Sequence, residues 1–240
     1  MLVTGFRVKL YLYRAVQAFY RLIEVGQIHP VRELKLRALQ RTTDYIEKHA
    51  LDAVGLDTQR DLIDYSLREV RVPGFYLEFG VFTGGTIRHI AKQLPAGQLI
   101  HGFDSFEGLP EAWSGFDLGK DTFNLKGKLP KVPPNVVLHK GWFKDTIPAW
   151  LKENSGKIAF LHIDCDLFSS TVEILDGLAP RMQAGTVVLF DDYFNYPNWE
   201  NHGFKAWQDY VAKHGVKYDY IGYARQQAAV RVLDPGAIAK

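Results

Sequence analysis

The chain has 240 residues, 47% hydrophobic and 23% charged, which places it among globular proteins and excludes a disordered chain. Lys and Arg number 29 against 27 Asp and Glu, a formal charge of +2 without a dense basic block, so no nucleic-acid footprint is evident. A single cysteine, Cys165, excludes an intrachain disulfide and a cysteine-ligated zinc, and fits a reducing, cytoplasmic setting.

The chain opens with "MLVTGFRVKLYLYRAVQAFYRLIEVG". Arg7, Lys9, Arg14 and Arg21 interrupt every apolar run, so the segment is too short and too charged to span a membrane, and it lacks a signal-peptide layout. It reads as an amphipathic helix that packs on the domain or on a second subunit, consistent with a homo-oligomer. Contact with a membrane surface is the alternative. "VRELKLRALQRTTDYIEKHAL" has helical spacing, and "DTQRDLIDYSLREV" reads as a helix capped by Asp57. Residues 1–70 are thus expected to form a helical extension and residues 71–240 an α/β domain.

Beyond Pro73 and Gly74 the pattern changes to short apolar runs alternating with helical segments. The runs are "FYLEFG", "QLIHGFD", "NVVLHKGWF", "KIAFLHID" and "GTVVLFDD", followed by "KYDYIGYA" and "QAAVRVL", which are close enough to pair as a hairpin. Near-continuous apolar strands separated by helices predict a doubly wound, mostly parallel sheet covered on both faces, with a C-terminal antiparallel hairpin. Ligands in such sheets bind beyond the carboxyl ends of the strands. Nearly every run here ends in an acid or a glycine.

"LEFGVFTGGTIRHIA" joins the first strand to its helix. Gly80, Gly84 and Gly85 permit a sharp turn, but the spacing is neither G-x-G-x-x-G nor a P-loop. Glu78 disfavours a phosphate there and suits a cationic amine; a purely structural turn is the alternative. Asp104 ends the second strand about 20 residues further on, the place of a ribose-hydroxyl ligand in nucleoside-binding α/β folds, although Asp also begins turns. The stretch "SFEGLPEAWSGFDLGKDTFNLKGKLPKVPPN" is long, Gly- and Pro-rich and aromatic, and reads as a mobile loop covering a substrate.

The fourth and fifth strands end in Asp164 and Asp166 and in Asp191 and Asp192. Carboxylates converging at one sheet edge repel one another unless a cation lies among them, and oxygen ligands suit magnesium, manganese or calcium rather than zinc. Asp164, Asp191 and Asp192 are the candidate ligands. Asp166 or Ser169 could instead cap the following helix. His162, inside its strand, reads as a hydrogen-bonded core histidine, and Cys165 as a small packed side chain. His202 could reach the site or simply begin a helix.

The ordered pieces "YLEFGVFTGGT", "GFDSFEGLP", "KGWFKDTIP", "HIDCDLFSST" and "LFDDY" resemble the macrocin-type O-methyltransferases, class I S-adenosylmethionine-dependent enzymes with a Rossmann-like fold that modify antibiotic sugars. The resemblance spans about residues 75 to 210. It implies that Glu78, Gly80, Thr83, Gly84, Gly85 and Thr86 hold the methionine part of S-adenosylmethionine. Asp104 and Ser105 would hold the ribose, and Gly141, Trp142 and Phe143 would lie near the adenine. Asp164, Asp191 and Asp192 would bind Mg2+, with Asp166 as the proton acceptor and His202 as a further catalytic candidate. The implied acceptor is a hydroxyl of a small molecule or glycan. A catechol-type methyltransferase, a nucleotide-dependent oxidoreductase and an inactive binding protein remain the competing readings.

Overall fold

The computed structural model describes residues 11, 14–19, 29–113 and 119–237. Residues 14–19 are helical; Arg7, Lys9 and Arg21, on which the amphipathic reading of the N-terminus rests, lie outside the described residues. Among the described residues no helix is long and apolar enough to cross a membrane.

The elements follow the expected alternation. Helix α1 (Pro30–His49) precedes strand β1 (Val54–Leu56) and helix α2 (Gln59–Arg68). Then come β2 (Phe75–Phe79), α3 (Gly85–Ala91), β3 (Ile100–Asp104), β4 (Val136–Lys140), α4 (Phe143–Glu153), β5 (Ile158–Ile163), α5 (Phe168–Leu178) and β6 (Val187–Phe190). Helix α6 (Gly203–His214) and strands β7 (Lys217–Ala224) and β8 (Gln227–Asp234) complete the chain.

The eight strands form one sheet in the order β1-β7-β8-β6-β5-β2-β3-β4. All neighbours pair in parallel except β8, which runs antiparallel to both β6 and β7. β1 was not foreseen: it sits inside the segment read as wholly helical and pairs with β7, placing Val54 beside Gly222. Three residues are too few to show an alternating pattern. The cap of α2 also differs from expectation, since Thr58 rather than Asp57 accepts the N–H of Asp61, at 3.2 Å.

Strand alternation builds two cores, as a sheet covered on both faces requires. Along β6, Val188 and Phe190 face a core shared with Trp150 of α4, Ile174 of α5 and Trp207 of α6. Val187 and Leu189 face the opposite core, with Leu62 of α2 and Ile87 of α3. Helix α1 joins the first of these through Ala38. It is pinned by a 2.8 Å bond between the hydroxyls of Tyr45 and Tyr220, and by Thr42 Oγ accepting the N–H of Asn195 at 2.9 Å.

The chain winds outward from β2 to β3 and β4, then returns to place β5 on the other side of β2. The reversal opens a crevice between the carboxyl ends of β2 and β5, the general ligand position of such sheets.

Candidate active site

Gly80 leaves β2 with φ +93°, a left-handed conformation that a side chain strongly disfavours. Its N–H donates to the carbonyl of Phe103 at 3.0 Å, while the carbonyl of Asp164 closes over its Cα. The turn that follows is organised by Asp104 at the end of β3. One carboxylate oxygen accepts the N–H groups of Val81 and Phe82 at 2.9 and 2.7 Å; the other accepts the N–H of Phe106 at 2.6 Å. A carboxylate has about four acceptor positions, so three backbone bonds leave room for one more donor.

A cleft of about 540 Å³ opens over this turn. Gly80, Thr83, Gly85, Thr86, Asp104, Ser105, Gly141, Trp142, Phe143, Asp164 and Asp166 all line it, so most of the expected ligand-binding residues come together. The long loop forms its cover through Leu109, Pro110, Glu111 and Phe123. Ser169 at the start of α5 donates to Glu111 at 2.6 Å, and Trp113 packs with Leu109 and Leu167. Glu111, Phe123, Lys144, Ser169, Ser170 and Glu173 also line the cleft. None was read from the sequence as a binding residue (Ser169 only as a possible helix cap), because their common placement depends on how the loop, α4 and α5 meet.

Glu78 does not reach the cleft. It is fully buried beneath the turn, its Oε2 3.2 Å from Nδ1 of His162. Alternation explains this: Glu78 lies within β2, where its side chain points to the same sheet face as Tyr76, opposite to Leu77 and Phe79. Burial pushes its carboxyl above the ordinary range, opposed by His162. In this arrangement its carboxyl does not line the cleft. His162 is not fully satisfied either, since its Nε2 and Glu78 Oε1 are both buried without partners. Gly84 also stays outside the cleft lining; with φ 78° it supplies the left-handed cap of α3.

The strand-end acids converge, but as two groups. One ligand atom each from Asp164, Asp166 and Asp192 lie within 4.8 Å of one another; so do one each from His162, Asp164 and Asp191. Asp164 belongs to both, while Asp191 and Asp192 fall in different ones. Consecutive residues leaving a strand point to opposite sides, which splits the pair that the sequence presents as a unit. Asp191 accepts a hydrogen bond from the side-chain amide of Gln59, at the start of α2.

Burial raises the carboxyls of Asp164 and Asp192, and the neighbouring acids raise them further. Asp166 is pushed up to about 6, chiefly by burial, with a hydrogen bond from Asp192 holding it down. Asp166 is no helix cap: Leu167 holds that position, without a side-chain bond. Asp166 instead adopts φ 63°, rare for a side chain-bearing residue and common at functional sites. Cys165 is buried with its thiol pushed up by burial, which suits an inert packed group. His202 precedes α6, buried against Trp113 and Tyr196, with Asn198 Nδ2 3.3 Å from its Nε2. It lies outside the cleft lining, and burial pushes its ring pKa down.

By fold the chain is a Rossmann-like α/β domain. It superposes on the calicheamicin methyltransferase CalS11 with a TM-score of 0.60 at 21% identity, covering 90% of this chain and 91% of that one. The O-methyltransferase NovP gives 0.55 at 24% identity, over 73% and 79%. Within that class the chain belongs to the Macrocin-O-methyltransferase (TylF) family, which residues 48–225 match.

Among its relatives is the 8-demethyl-8-(2,3-dimethoxy-alpha-L-rhamnosyl)-tetracenomycin-C 4'-O-methyltransferase of Streptomyces olivaceus, 32% identical over 51% of this chain and 54% of that protein. The demethyldecarbamoylnovobiocin O-methyltransferase of Streptomyces niveus is 28% identical over 62% and 63%. The mycinamicin III 3''-O-methyltransferase of Micromonospora griseorubida is 27% identical over 71% and 73%. The chain thus spans less than two thirds of the length of the first two, 54% and 63%.

Proposed function

We propose that the chain transfers a methyl group from S-adenosylmethionine to a sugar hydroxyl, with a divalent cation, Mg2+, at the strand-end carboxylates. The observation that carries this reading is the single cleft in which the Asp104-organised turn faces Asp164 and Asp166. The rhamnosyl group in the name of one relative's acceptor supports a sugar-bearing acceptor.

The donor set fits a hard cation. Carboxylates this close and this buried are mutually repelled, and an ion among them removes that cost. Asp164, Asp191 and Asp192 would hold it, with Asp166 close enough to Asp164 and Asp192 to serve as ligand or proton acceptor. When bound, S-adenosylmethionine supplies a methyl group already activated on a sulfonium, and the cation lowers the pKa of a coordinated hydroxyl.

The chain's own residues do the rest. Asp104 and Ser105 take the ribose hydroxyls, Thr83 and Thr86 border the methionine portion, and Gly141, Trp142 and Phe143 flank the base. Glu111, Phe123 and Ser169 exclude water above the site and orient the acceptor. As the acceptor oxygen attacks, its proton passes to a carboxylate oxygen of Asp166. Burial raises this carboxyl above an ordinary aspartate, and a cation beside it would oppose that shift.

Methyl transfer from labelled S-adenosylmethionine to a panel of deoxysugar-bearing acceptors, with and without chelator, tests the proposal. Chelator-sensitive labelling of a sugar hydroxyl is expected. Labelling confined to catechols, or unaffected by chelator, would overturn the acceptor class or the cation respectively.

A further inference from the structure

We propose that Phe82 and Phe123 present aromatic faces to the positively charged sulfur of S-adenosylmethionine, a contact that is lost when the methyl group leaves and the sulfur becomes neutral. The inference rests on the cofactor assignment made above and deepens it, by naming the residues that tell the charged cofactor from its neutral product.

The place of the two rings comes first. Both line the cleft, and they meet edge to face with centroids 5.3 Å apart. Phe82 belongs to the turn after β2; its N–H donates to Oδ2 of Asp104 at 2.7 Å, and Thr83 follows it in the chain. With Thr83 bordering the methionine portion and Asp104 taking the ribose, Phe82 lies where those two subsites adjoin. The sulfur is the atom that joins methionine to ribose. Phe123 arrives from the loop cover, beside the bridge between Glu107 and Asn124. Arg88 straps this cover to the turn, donating to the carbonyls of Thr83 at 2.8 Å and Lys131 at 3.2 Å.

Backbone conformation supplies an independent observation. Phe82 has φ 48° and Phe123 φ 64°. A bulky side chain is rare in this region, which glycine or asparagine enters with less strain. Such residues persist where the surrounding structure holds them, and they gather at ligand clamps. Core packing does not account for the two rings: they are 37% and 38% exposed, whereas Phe79, Phe103 and Phe106 are fully buried.

The chemistry suits a sulfonium. A cation is attracted to the face of an aromatic ring, more strongly when water is displaced from between them. A carboxylate at the same point would also attract it, but would add a charge to a cleft already lined by Asp104, Asp164 and Asp166. Rings attract the sulfonium without that repulsion. S-adenosylhomocysteine keeps the same ribose, base and amino-acid groups and lacks only the methyl group and the charge, so the pair of ligands isolates this one contact.

Calorimetry on the full-length chain, with S-adenosylmethionine and S-adenosylhomocysteine titrated separately and no acceptor present, tests the proposal. Phe82→Leu keeps apolar bulk and removes the ring. It should weaken S-adenosylmethionine by roughly 5–30-fold and leave S-adenosylhomocysteine within about twofold of wild type. Phe82→Tyr keeps the aromatic face and should restore the wild-type ratio of the two affinities. Phe123→Leu should move that ratio in the same direction by roughly 3–5-fold, and it decides the matter if Phe82→Leu fails to fold. Equal weakening of both ligands would show that the rings only shape the turn, and with an unchanged ratio the proposal is overturned. A wild-type chain that binds neither ligand would instead overturn the cofactor assignment, and this proposal with it.

Discussion

The carbonyl oxygen of Asp164 occupies the space that a side chain on Gly80 would need: a Cβ built there lies 1.6 Å from it. The two strand ends that frame the cleft therefore touch backbone to backbone, and neither can recede while Asp164 N–H remains bonded to the carbonyl of Phe79 at 2.8 Å. Gly80→Ala should cost roughly 3 kcal/mol from overpacking and backbone strain. For a chain of this length that corresponds to a melting temperature lower by about 6–12 °C. An unchanged melting curve would show that the contact is not rigid.

Asp104→Ala removes the acceptor of three backbone N–H groups, each bonded to a charged oxygen. Such bonds are worth about 1.5–3 kcal/mol apiece, so affinity for S-adenosylhomocysteine should fall by at least 100-fold in calorimetry. Asp104→Asn should recover only part of the loss, because its NH2 group must face N–H donors on one side. Full binding by Asp104→Asn would mean that the charge is immaterial.

Asp166→Asn keeps the shape of the site but cannot accept the proton. Turnover should fall by about 10²–10⁴-fold, the usual worth of general-base assistance, with S-adenosylhomocysteine affinity within threefold of wild type. A mutant with wild-type turnover would remove Asp166 from the proposed mechanism.

A pH dependence of stability follows from His101. Its Nδ1 accepts the indole N–H of Trp150 at 3.3 Å, and indole can only donate, so the ring is held neutral. Burial, with His139 beside it, pushes its pKa down from 6.5 to about 4. The unfolded chain therefore takes up a proton below about pH 6.5 while the folded chain resists until about pH 4. Stability from this residue is complete above pH 6.5 and is lost between 6.5 and 4. His101→Gln should flatten the melting-temperature profile across that window; an unchanged slope would show that this ring does not carry the loss.

The strand ends were legible because nearly every run stops in an acid or glycine, and burial, alternation and turn chemistry are local signals. β7 matches its expected span at Lys217–Ala224 residue for residue. What stayed hidden depends on distance in the chain. Gln59 lies 132 residues from Asp191, with nothing local to announce the bond. Glu78 was legible as a strand-end acid but not as one facing His162, because that depends on the register of β2 against β5, which sets Glu78 beside His162. Asp191 and Asp192 looked like one pair, although the period of a strand already implies their separation.

The loop cover has an evolutionary consequence. Trp113 and Leu109 pack on Leu167, the residue directly after Asp166, and Glu111 takes the Ser169 hydroxyl just beyond it. A mutation that reshapes the cover for a bulkier acceptor also rewets the dry wall that raises the acid. On the proposed mechanism, acceptor range and base strength would thus form an epistatic pair: substitutions at Leu109 or Trp113 would need compensation near Leu167 before a new acceptor could be processed at full rate.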